Sequence, residues 1–378
     1  MNRTLWHRVI AAALLVAALL AVLLLQHLHS YWQQQALLRS SQQNEQLALH
    51  METLLEGLQN HVKRLQHSAH LALHSGNEPP ALLKFLQPAL PATANGYSLD
   101  VLQQTTPTAQ IGNVYLAAEP STPAIQDELK IIWALFPLAA SSHLTDSALQ
   151  WSYYNSLQSP LLGVFPYRST ERLLRDNNMA DLPAFFARFV GPDSQRSLAS
   201  QLADQHEPSW RKPHIDAAGA GWVVPLAAPV RQSGHIIGAV SADVRLPFLS
   251  EHLAKLTAAP ERTLLMNDEQ IVLADSRLSL ETSNRLAKLS ERLPASLVPL
   301  VPQLTRTQPG WSTAGDYHVM LRPLAHSQWS LVRLTPSDEL LFDVRLRVLA
   351  VALPLVLLWL LAGFWWWRRR ERHKYHPH

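Results

Sequence analysis

The chain has 378 residues with 32 Lys or Arg and 29 Asp or Glu, so its formal net charge is +3 at pH 7. The two ends carry +2 and +4 of this charge, which leaves about −3 for the rest and excludes a basic nucleic-acid-binding surface. Cysteine is absent, which excludes disulfides, thiol nucleophiles and cysteine metal sites.

An apolar run near the start predicts a transmembrane helix over residues 9–29. Val9 to Leu25 contains no charged residue, and with its flanks it reaches the roughly 20 residues needed to cross a ~30 Å hydrocarbon core. The alternative is a cleaved signal peptide, which would also have a basic start and an Ala/Leu centre. No small-x-small cleavage site follows the run, so we expect an uncleaved anchor with residues 1–8 in the cytoplasm.

A single long periplasmic helix is predicted over residues 30–78. As far as Ser75 the chain has no proline and only one glycine, and Pro79-Pro80 is expected to end the helix. Apolar residues at spacings of three and four define one face, which we name the apolar stripe. The apolar stripe consists of Leu47, Met51, Leu54, Leu58, Val62, Leu65, Ala69 and Ala72.

Three histidines on this helix raise the question of whether it binds a metal ion. His67, His70 and His74 can share one face, which would permit a metal site or a protonation switch. No carboxylate at a suitable spacing joins them, so a solvated polar face is the expected role. We predict no metal and no other cofactor.

Short strand patterns then predict two α+β units, over residues 79–258 and 259–343. The expected strand pairs, each joined by a polar turn, are Trp222–Val230 with His235–Asp243, Thr263–Met266 with Ile271–Ala274, and Tyr317–Leu324 with Trp329–Leu334. Helical patterns lie at Leu246–Leu256 and Leu278–Leu293.

A second apolar run, Val348–Trp367, predicts a transmembrane helix over residues 344–367. The basic tail at 368–378 follows it, and Arg3 and Arg8 flank the first run. By the positive-inside rule both ends are cytoplasmic and the central part is exported. The sequence therefore predicts a two-pass bacterial inner membrane protein with a periplasmic domain.

Several phrases in fixed order resemble the double Cache (PAS-like) sensor domains of bacterial chemoreceptors, sensor kinases and diguanylate cyclases. In the first unit they are Trp151-Ser-Tyr-Tyr154, Leu162-Gly-Val-Phe-Pro166, Trp210-Arg-Lys-Pro-His-Ile-Asp216, Pro229-Val230 and Gly238-Ala-Val-Ser-Ala-Asp243. Gly310-Trp311 and Trp329-Ser-Leu-Val332 suit the second unit.

This resemblance implies an α+β fold in which a long N-terminal helix precedes two PAS-like antiparallel-sheet units, flanked by two transmembrane helices. It also implies a homodimer paired along the apolar stripe and a ligand pocket in the membrane-distal unit, 79–258. The pocket residues carried over from the family are Trp151, Tyr153, Tyr154, Trp210, Asp216 and Asp243. Arg168 is added because its guanidinium could grip a carboxylate. No Arg-x-Trp-Tyr stretch is found, so the ligand need not be an amino acid.

The expected function is an inner membrane receptor that binds a small periplasmic ligand and signals to a separate cytoplasmic or membrane partner. No kinase, cyclase or methyl-accepting region is read in the sequence, so the sensor half of a split or truncated kinase or cyclase is an alternative. A membrane-anchored assembly protein with a periplasmic protein-binding domain is another. Catalytic motifs such as a Gly-x-Ser-x-Gly elbow or a phosphate-binding loop are missing, so no enzyme is predicted.

Overall fold

The computed structural model describes residues 3–76, 81–190, 192–217, 219–278, 285–304, 310–325 and 327–372. The α-helices are α1 (Arg3–His74), α2 (Asp100–Thr105), α3 (Pro123–Thr145), α4 (Thr170–Asp176), α5 (Leu182–Phe189), α6 (Pro192–Leu202), α7 (Leu246–Leu256), α8 (Leu289–Arg292), α9 (Val301–Leu304) and α10 (Ser337–Arg372). Short 3-10 helices lie at Ala81–Lys84, Ala92–Ala94 and Ala295–Leu300.

Fourteen strands are found in the described residues. They are β1 (Gln87–Pro88), β2 (Tyr97–Ser98), β3 (Asn113–Leu116), β4 (Leu149–Ser156), β5 (Leu161–Phe165), β6 (Ser209–Trp210), β7 (His214–Ile215), β8 (Trp222–Gln232), β9 (His235–Arg245), β10 (Arg262–Met266), β11 (Val272–Asp275), β12 (Gly310–Ala314), β13 (Tyr317–Pro323) and β14 (Ser330–Pro336). All six predicted strands are present, each with ends within about two residues of the prediction.

The apolar stripe of α1 is buried within its own chain. Met51, Leu58, Val62 and Ala69 are fully buried, because α1 packs its stripe on α3 and on the β8–β9 hairpin. The prediction that this stripe pairs two copies of the chain is therefore wrong, since core packing already covers it. A homodimer itself stays a prediction and would have to use another surface.

The first sheet is antiparallel, and its strand order is β1-β2-β3-β5-β4-β9-β8-β6, with β7 also paired to β8. One face packs on α1 and α3 and forms the main core. The other face, near β3 and β5, is covered by α4 and α5. Because successive side chains of a strand point to opposite faces, each central strand contributes to both layers.

The second sheet has the order β11-β10-β14-β13-β12, again antiparallel, and packs on α8, α9 and the last 3-10 helix. The predicted helix Leu278–Leu293 is wrong in its described part, since only Leu289–Arg292 is helical. Lys288 instead forms a β-bridge with Ile271, and the neighbouring backbone bonds to the edge of the sheet. Pairing with the sheet therefore prevails over the local helical pattern; residues 279–284 lie outside the described residues.

Two helices are long and apolar enough to cross a membrane, and they flank the two sheets. The most apolar parts of α1 and α10 have mean hydropathies of 2.8 and 2.4, and neither is buried in the protein. The two helices also pack on each other, and α10 follows directly after β14. The helix that precedes the two sheets in the chain and the helix that follows them are therefore neighbours.

Candidate functional site

Side-chain alternation along β4 separates the predicted site residues into two groups. Trp151 and Tyr153 point to the face of the first sheet that α4 and α5 cover, whereas Tyr154 points to the opposite face. Asp243 on β9 is the direct cross-strand partner of Trp151, so it shares the first of these faces. This register brings Trp151, Tyr153 and Asp243 together.

A cavity of about 440 Å³ lies above this face, and we name it the aromatic cavity. Five of the seven predicted residues line it, namely Trp151, Tyr153, Arg168, Asp216 and Asp243. Its volume is in the range of small-molecule sites, roughly 300–1,000 Å³. The remaining lining residues are Tyr115, Asn155, Leu162, Val164, Leu173, Phe185, Phe189, Val190, His214, Ile215 and Ala217.

Asp243 is a buried carboxyl group with one strong donor. The Tyr153 hydroxyl donates a hydrogen bond to Asp243 Oδ1 at 3.0 Å. Burial, together with the nearby charge of Asp216, raises the pKa of Asp243 to about 8 despite this bond. In the unliganded protein Asp243 is therefore largely protonated at neutral pH, and a cation beside it would favour the ionised form.

Asp216 is held in the cavity wall by a tight loop. The Trp151 indole N–H donates to Asp216 Oδ2 at 2.9 Å, and the backbone N–H of Ala220 donates to the same atom at 2.8 Å. Gly219 and Gly221 have φ angles of +84° and +81°, a backbone conformation that glycine adopts without strain. The loop thus fixes a carboxylate beside the indole of Trp151.

Arg168 brings a positive charge to the cavity, but this charge is already compensated. Its guanidinium forms an ion pair with Asp176, and its side chain is only 9% exposed. Its backbone carbonyl accepts a hydrogen bond from the Tyr115 hydroxyl at 2.7 Å. The predicted grip on a ligand carboxylate would therefore compete with Asp176.

The outer wall of the cavity comes from α4, α5 and the loop before β8. Sequence reasoning predicted Asp216 of this loop but missed α4 and α5. Phe185 and Phe189 lie one turn apart on α5, which begins after the capping residue Asp181. The Asn177 side-chain amide donates to the carbonyl of Ala217 and ties the end of α4 to the loop. The capping pattern followed by phenylalanines at i and i+4 was the available signal for an amphipathic helix.

Tyr154 does not line the cavity, which corrects its prediction as a pocket residue. It is fully buried on the opposite face, where its hydroxyl donates to Glu128 Oε2 at 2.9 Å. Gly238 on β9 leaves room for its ring, because a methyl group there would overlap it. Tyr154 and Gly238 are therefore core residues.

Trp210 also lies outside the aromatic cavity. Its ring packs on Trp329 of the second unit, with ring centroids 4.4 Å apart. The pairing of β6 with β8 places it between the two sheets, on the far side of the first sheet's edge. Trp210 therefore joins the two units instead of walling the predicted pocket.

His67, His70 and His74 lie on the part of α1 for which a metal hypothesis was considered. The backbone N–H of Arg231 donates to His70 Nε2 at 3.3 Å, and a hydrogen bond joins His74 Nδ1 to the carbonyl of His70. Within the described ranges, no three His, Asp or Glu side chains are grouped so as to hold a metal ion.

Three solved structures indicate what the chain is similar to. The ligand-binding domain of the amino acid chemoreceptor PctC of Pseudomonas aeruginosa PAO1, in complex with GABA, is 15% identical; 79% of this chain and 98% of that chain are covered, with a TM-score of 0.44. The ligand-binding domain of the Pseudomonas fluorescens chemoreceptor CtaA, in complex with L-isoleucine, is 15% identical over 84% and 96% of the two chains, with a TM-score of 0.43. The extracellular domain of mmHK1S-Z2, described as a histidine kinase, is 14% identical over 81% and 99%, with a TM-score of 0.44.

No protein-family model matches the sequence, and no curated protein matches it. The chain itself has one long helix followed by two antiparallel-sheet units in series, and an apolar helix follows the second unit. The predicted fold class is therefore confirmed.

Proposed function

We propose that the chain is a two-pass inner membrane receptor whose periplasmic double Cache domain binds a small ligand in the aromatic cavity. The single observation that carries the proposal is that Trp151, Tyr153, Asp216 and Asp243 converge on one cavity. Asp216 lies 65 positions after Trp151 in the chain, and Asp243 lies 90 positions after Tyr153. A plain core would fill this space with apolar side chains and would not bury two carboxyl groups in its wall.

The ligand class that fits the cavity is a small molecule with a cationic amine. Asp216 and Asp243 supply two carboxyl groups, while the positive charge of Arg168 is offset by Asp176. The faces of Trp151 and Tyr153 can also attract an ammonium group. A zwitterion that engages Arg168 as well would first have to displace Asp176, so a simple amine is the better candidate.

Signalling across the membrane follows from the two flanking helices. A ligand that binds one arrangement of the domain more tightly than another shifts the population between the two. In the proposed receptor, α1 and α10 carry this shift to a separate cytoplasmic or membrane partner. A differential affinity of a few kcal/mol is sufficient to reverse such an equilibrium.

The test is a thermal-unfolding screen of the full chain in detergent micelles against amines, zwitterionic amino acids, organic acids and sugars. A ligand at 100 times its dissociation constant should stabilise the protein by about 2.7 kcal/mol. The stabilisation should disappear in Asp243→Ala, and it should persist in the matched control Asp268→Ala, whose exposed carboxylate lies outside the aromatic cavity.

Two results would contradict the proposal. If no small molecule stabilises the protein, the assembly-protein alternative gains, and its periplasmic partner should be sought. If a ligand binds equally well to Asp243→Ala, its site is not the aromatic cavity.

A further inference from the structure

A second cleft lies between the two sheet units, and the proposed receptor function makes no use of it. We name it the inter-sheet cleft; its volume is about 710 Å³, and it is bounded by Trp210, Arg211, Asn267, Gln328 and Trp329. Trp210 and Trp329 pack together in its wall and join the two units. Both its size and its aromatic wall suit a small organic molecule.

Three successive residues in this wall carry polar atoms that are buried without a hydrogen-bond partner among the described residues. The atoms are Ser209 Oγ, Trp210 Nε1, and Nε and Nη2 of Arg211. A buried polar group without a partner destabilises the protein, so a cluster of them indicates a missing partner. The indole and guanidinium nitrogens can only donate, so that partner must be an acceptor.

The geometry of Arg211 specifies the acceptor further. Its Nη1 is directed to the Gln201 carbonyl and side-chain oxygens, both at 3.4 Å. The edge formed by Nε and Nη2 has no hydrogen-bond partner among the described residues. This edge matches the two oxygens of a carboxylate. Burial lowers the pKa of Arg211, as expected for a cation whose charge has no close counterion in the described part of the chain.

Neighbouring charges do not fill this role. Lys212 forms an ion pair with Glu269 at 2.6 Å, so these two charges balance each other. Asp268 lines the cleft but is exposed to solvent. Among the described residues, Arg211 is thus a cation of the cleft without an ion-pair partner.

We propose that the inter-sheet cleft binds a small organic carboxylate, which Arg211 and the Trp210 indole N–H hold while Trp329 packs on its organic part. These donors are buried, so binding requires a local displacement of the groups that cover them. The ligand would contact both units at once, so its binding would favour one relative arrangement of the two sheets. This inference depends on the cleft alone and not on the aromatic cavity.

The experiment uses the full chain in detergent micelles with ¹⁵N-labelled tryptophan and titrates benzoate, acetate, inorganic phosphate and chloride at constant ionic strength. Trp210→Phe assigns the Trp210 indole resonance by its loss. Benzoate should shift that resonance in a saturable manner, and chloride should not. Arg211→Gln should weaken benzoate binding at least about tenfold, since it removes a charge-assisted bidentate contact. The neighbouring control Lys212→Gln should change it less than about threefold.

Absence of a saturable shift of the Trp210 resonance in the parent protein would overturn the proposal. A shift with phosphate but not with benzoate would overturn the carboxylate assignment. If Arg211→Gln does not fold, Arg211→Lys is used in its place. Lysine keeps the positive charge but lacks the bidentate donor geometry of the guanidinium, so it should show the same weakening of benzoate binding. Asp243→Ala should bind benzoate normally, so this test and that of the aromatic cavity can fail independently.

Discussion

Burial raises the pKa of two carboxyl groups that lie on opposite sides of the first sheet. Asp243 faces the aromatic cavity and has its pKa raised to about 8, mainly by burial and then by the charge of Asp216. Glu128 faces the core, where burial raises its pKa to about 7 although the Tyr154 hydroxyl donates to it. The pKa of Asp243 bears on the ligand binding that we propose, and the pKa of Glu128 bears on stability.

Affinity for a cationic amine should rise with pH up to about 8. Below this pH the ligand must displace a proton from Asp243, which weakens binding by up to about tenfold per pH unit. Isothermal titration of the amine found in the screen, at pH 6, 7, 8 and 9 in buffers of different ionisation enthalpy, measures both affinity and proton release. Asp243→Asn should bind more weakly and lose the pH dependence. An affinity that is constant from pH 6 to 8 in the parent protein would contradict the role of Asp243.

Glu128→Gln should stabilise the protein at alkaline pH. Because the folded-state pKa of Glu128 lies above its unfolded value of 4.5, its contribution is present below pH 4.5 and is lost as the pH rises through about 7. The loss amounts to roughly 3 kcal/mol at most. Urea unfolding at pH 5 and pH 8.5 should show a gain for the variant only at the higher pH. A gain of equal size at both values would mean that the carboxylate charge is not responsible.

At the scale of elements, a buried polar cluster connects α1 to the strand that carries the site. His61 of α1 is 1% exposed and is hydrogen-bonded to Ser142 of α3 at 3.0 Å and to Ser152 of β4 at 2.8 Å. His143 Nε2 bonds to the same Ser152 hydroxyl at 2.9 Å. Ser152 stands between Trp151 and Tyr153 in β4, so the cluster lies directly behind the aromatic cavity.

Ser152→Ala should uncouple α1 from the site. The change leaves His61 and His143 without a shared partner and should cost about 1–3 kcal/mol of stability. Hydrogen exchange of α1 near His61 should respond to ligand in the parent and not in the variant, while ligand affinity changes little. The exposed Ser141→Ala serves as the control and should behave as the parent does. An unchanged ligand response in Ser152→Ala would exclude the cluster as the connection.

Sequence patterns predicted the elements that have a strong local period. The β8–β9 hairpin was placed within two residues, because apolar runs flank a turn whose Ser233 and Gly234 take positive φ angles. Because Tyr153 and Tyr154 are adjacent in a strand, the sequence alone indicates that they point to opposite faces of the sheet. Which of the two faces holds the cavity depends on where α4 and α5 pack. That docking is a tertiary contact without a local signal, and the same is true of the Trp210 contact with Trp329.

At the scale of the whole molecule, a buried ion pair connects α1 to the segment between α7 and β10. Arg333 on β14 pairs with Glu261 of this segment, and the Arg333 side chain is only 5% exposed. The same guanidinium donates to the Gln43 side chain on α1 at 3.1 Å and contacts the Ser40 carbonyl at 3.5 Å. Since β14 leads into α10, this junction holds α1, the segment before β10 and the start of α10 close together.

Arg333→Met should destabilise the protein by about 3–5 kcal/mol, because it leaves Glu261 largely buried without its counterion. Adding Glu261→Gln should recover most of this loss, since the uncompensated charge is then gone. Lys63→Ala is the control: it breaks the exposed pair with Glu207 and should cost at most about 1 kcal/mol. Chemical denaturation of the parent, Arg333→Met, Glu261→Gln and the double variant gives the coupling energy. A double variant no more stable than Arg333→Met would contradict this account.

The direct passage from β14 to α10 has a rotational consequence. The strand ends at Pro336 and the helix begins at Ser337. No linker residues lie between them, so a rotation of α10 about its axis cannot be taken up by a flexible segment. An α-helix turns by about 100° per residue. One residue inserted between Pro336 and Ser337 would therefore rotate every side chain of α10 about the helix axis by about 100°. Seven inserted residues would restore the original orientation to within about 20°. In the proposed receptor, the register of the second sheet therefore dictates which side of α10 meets its neighbours.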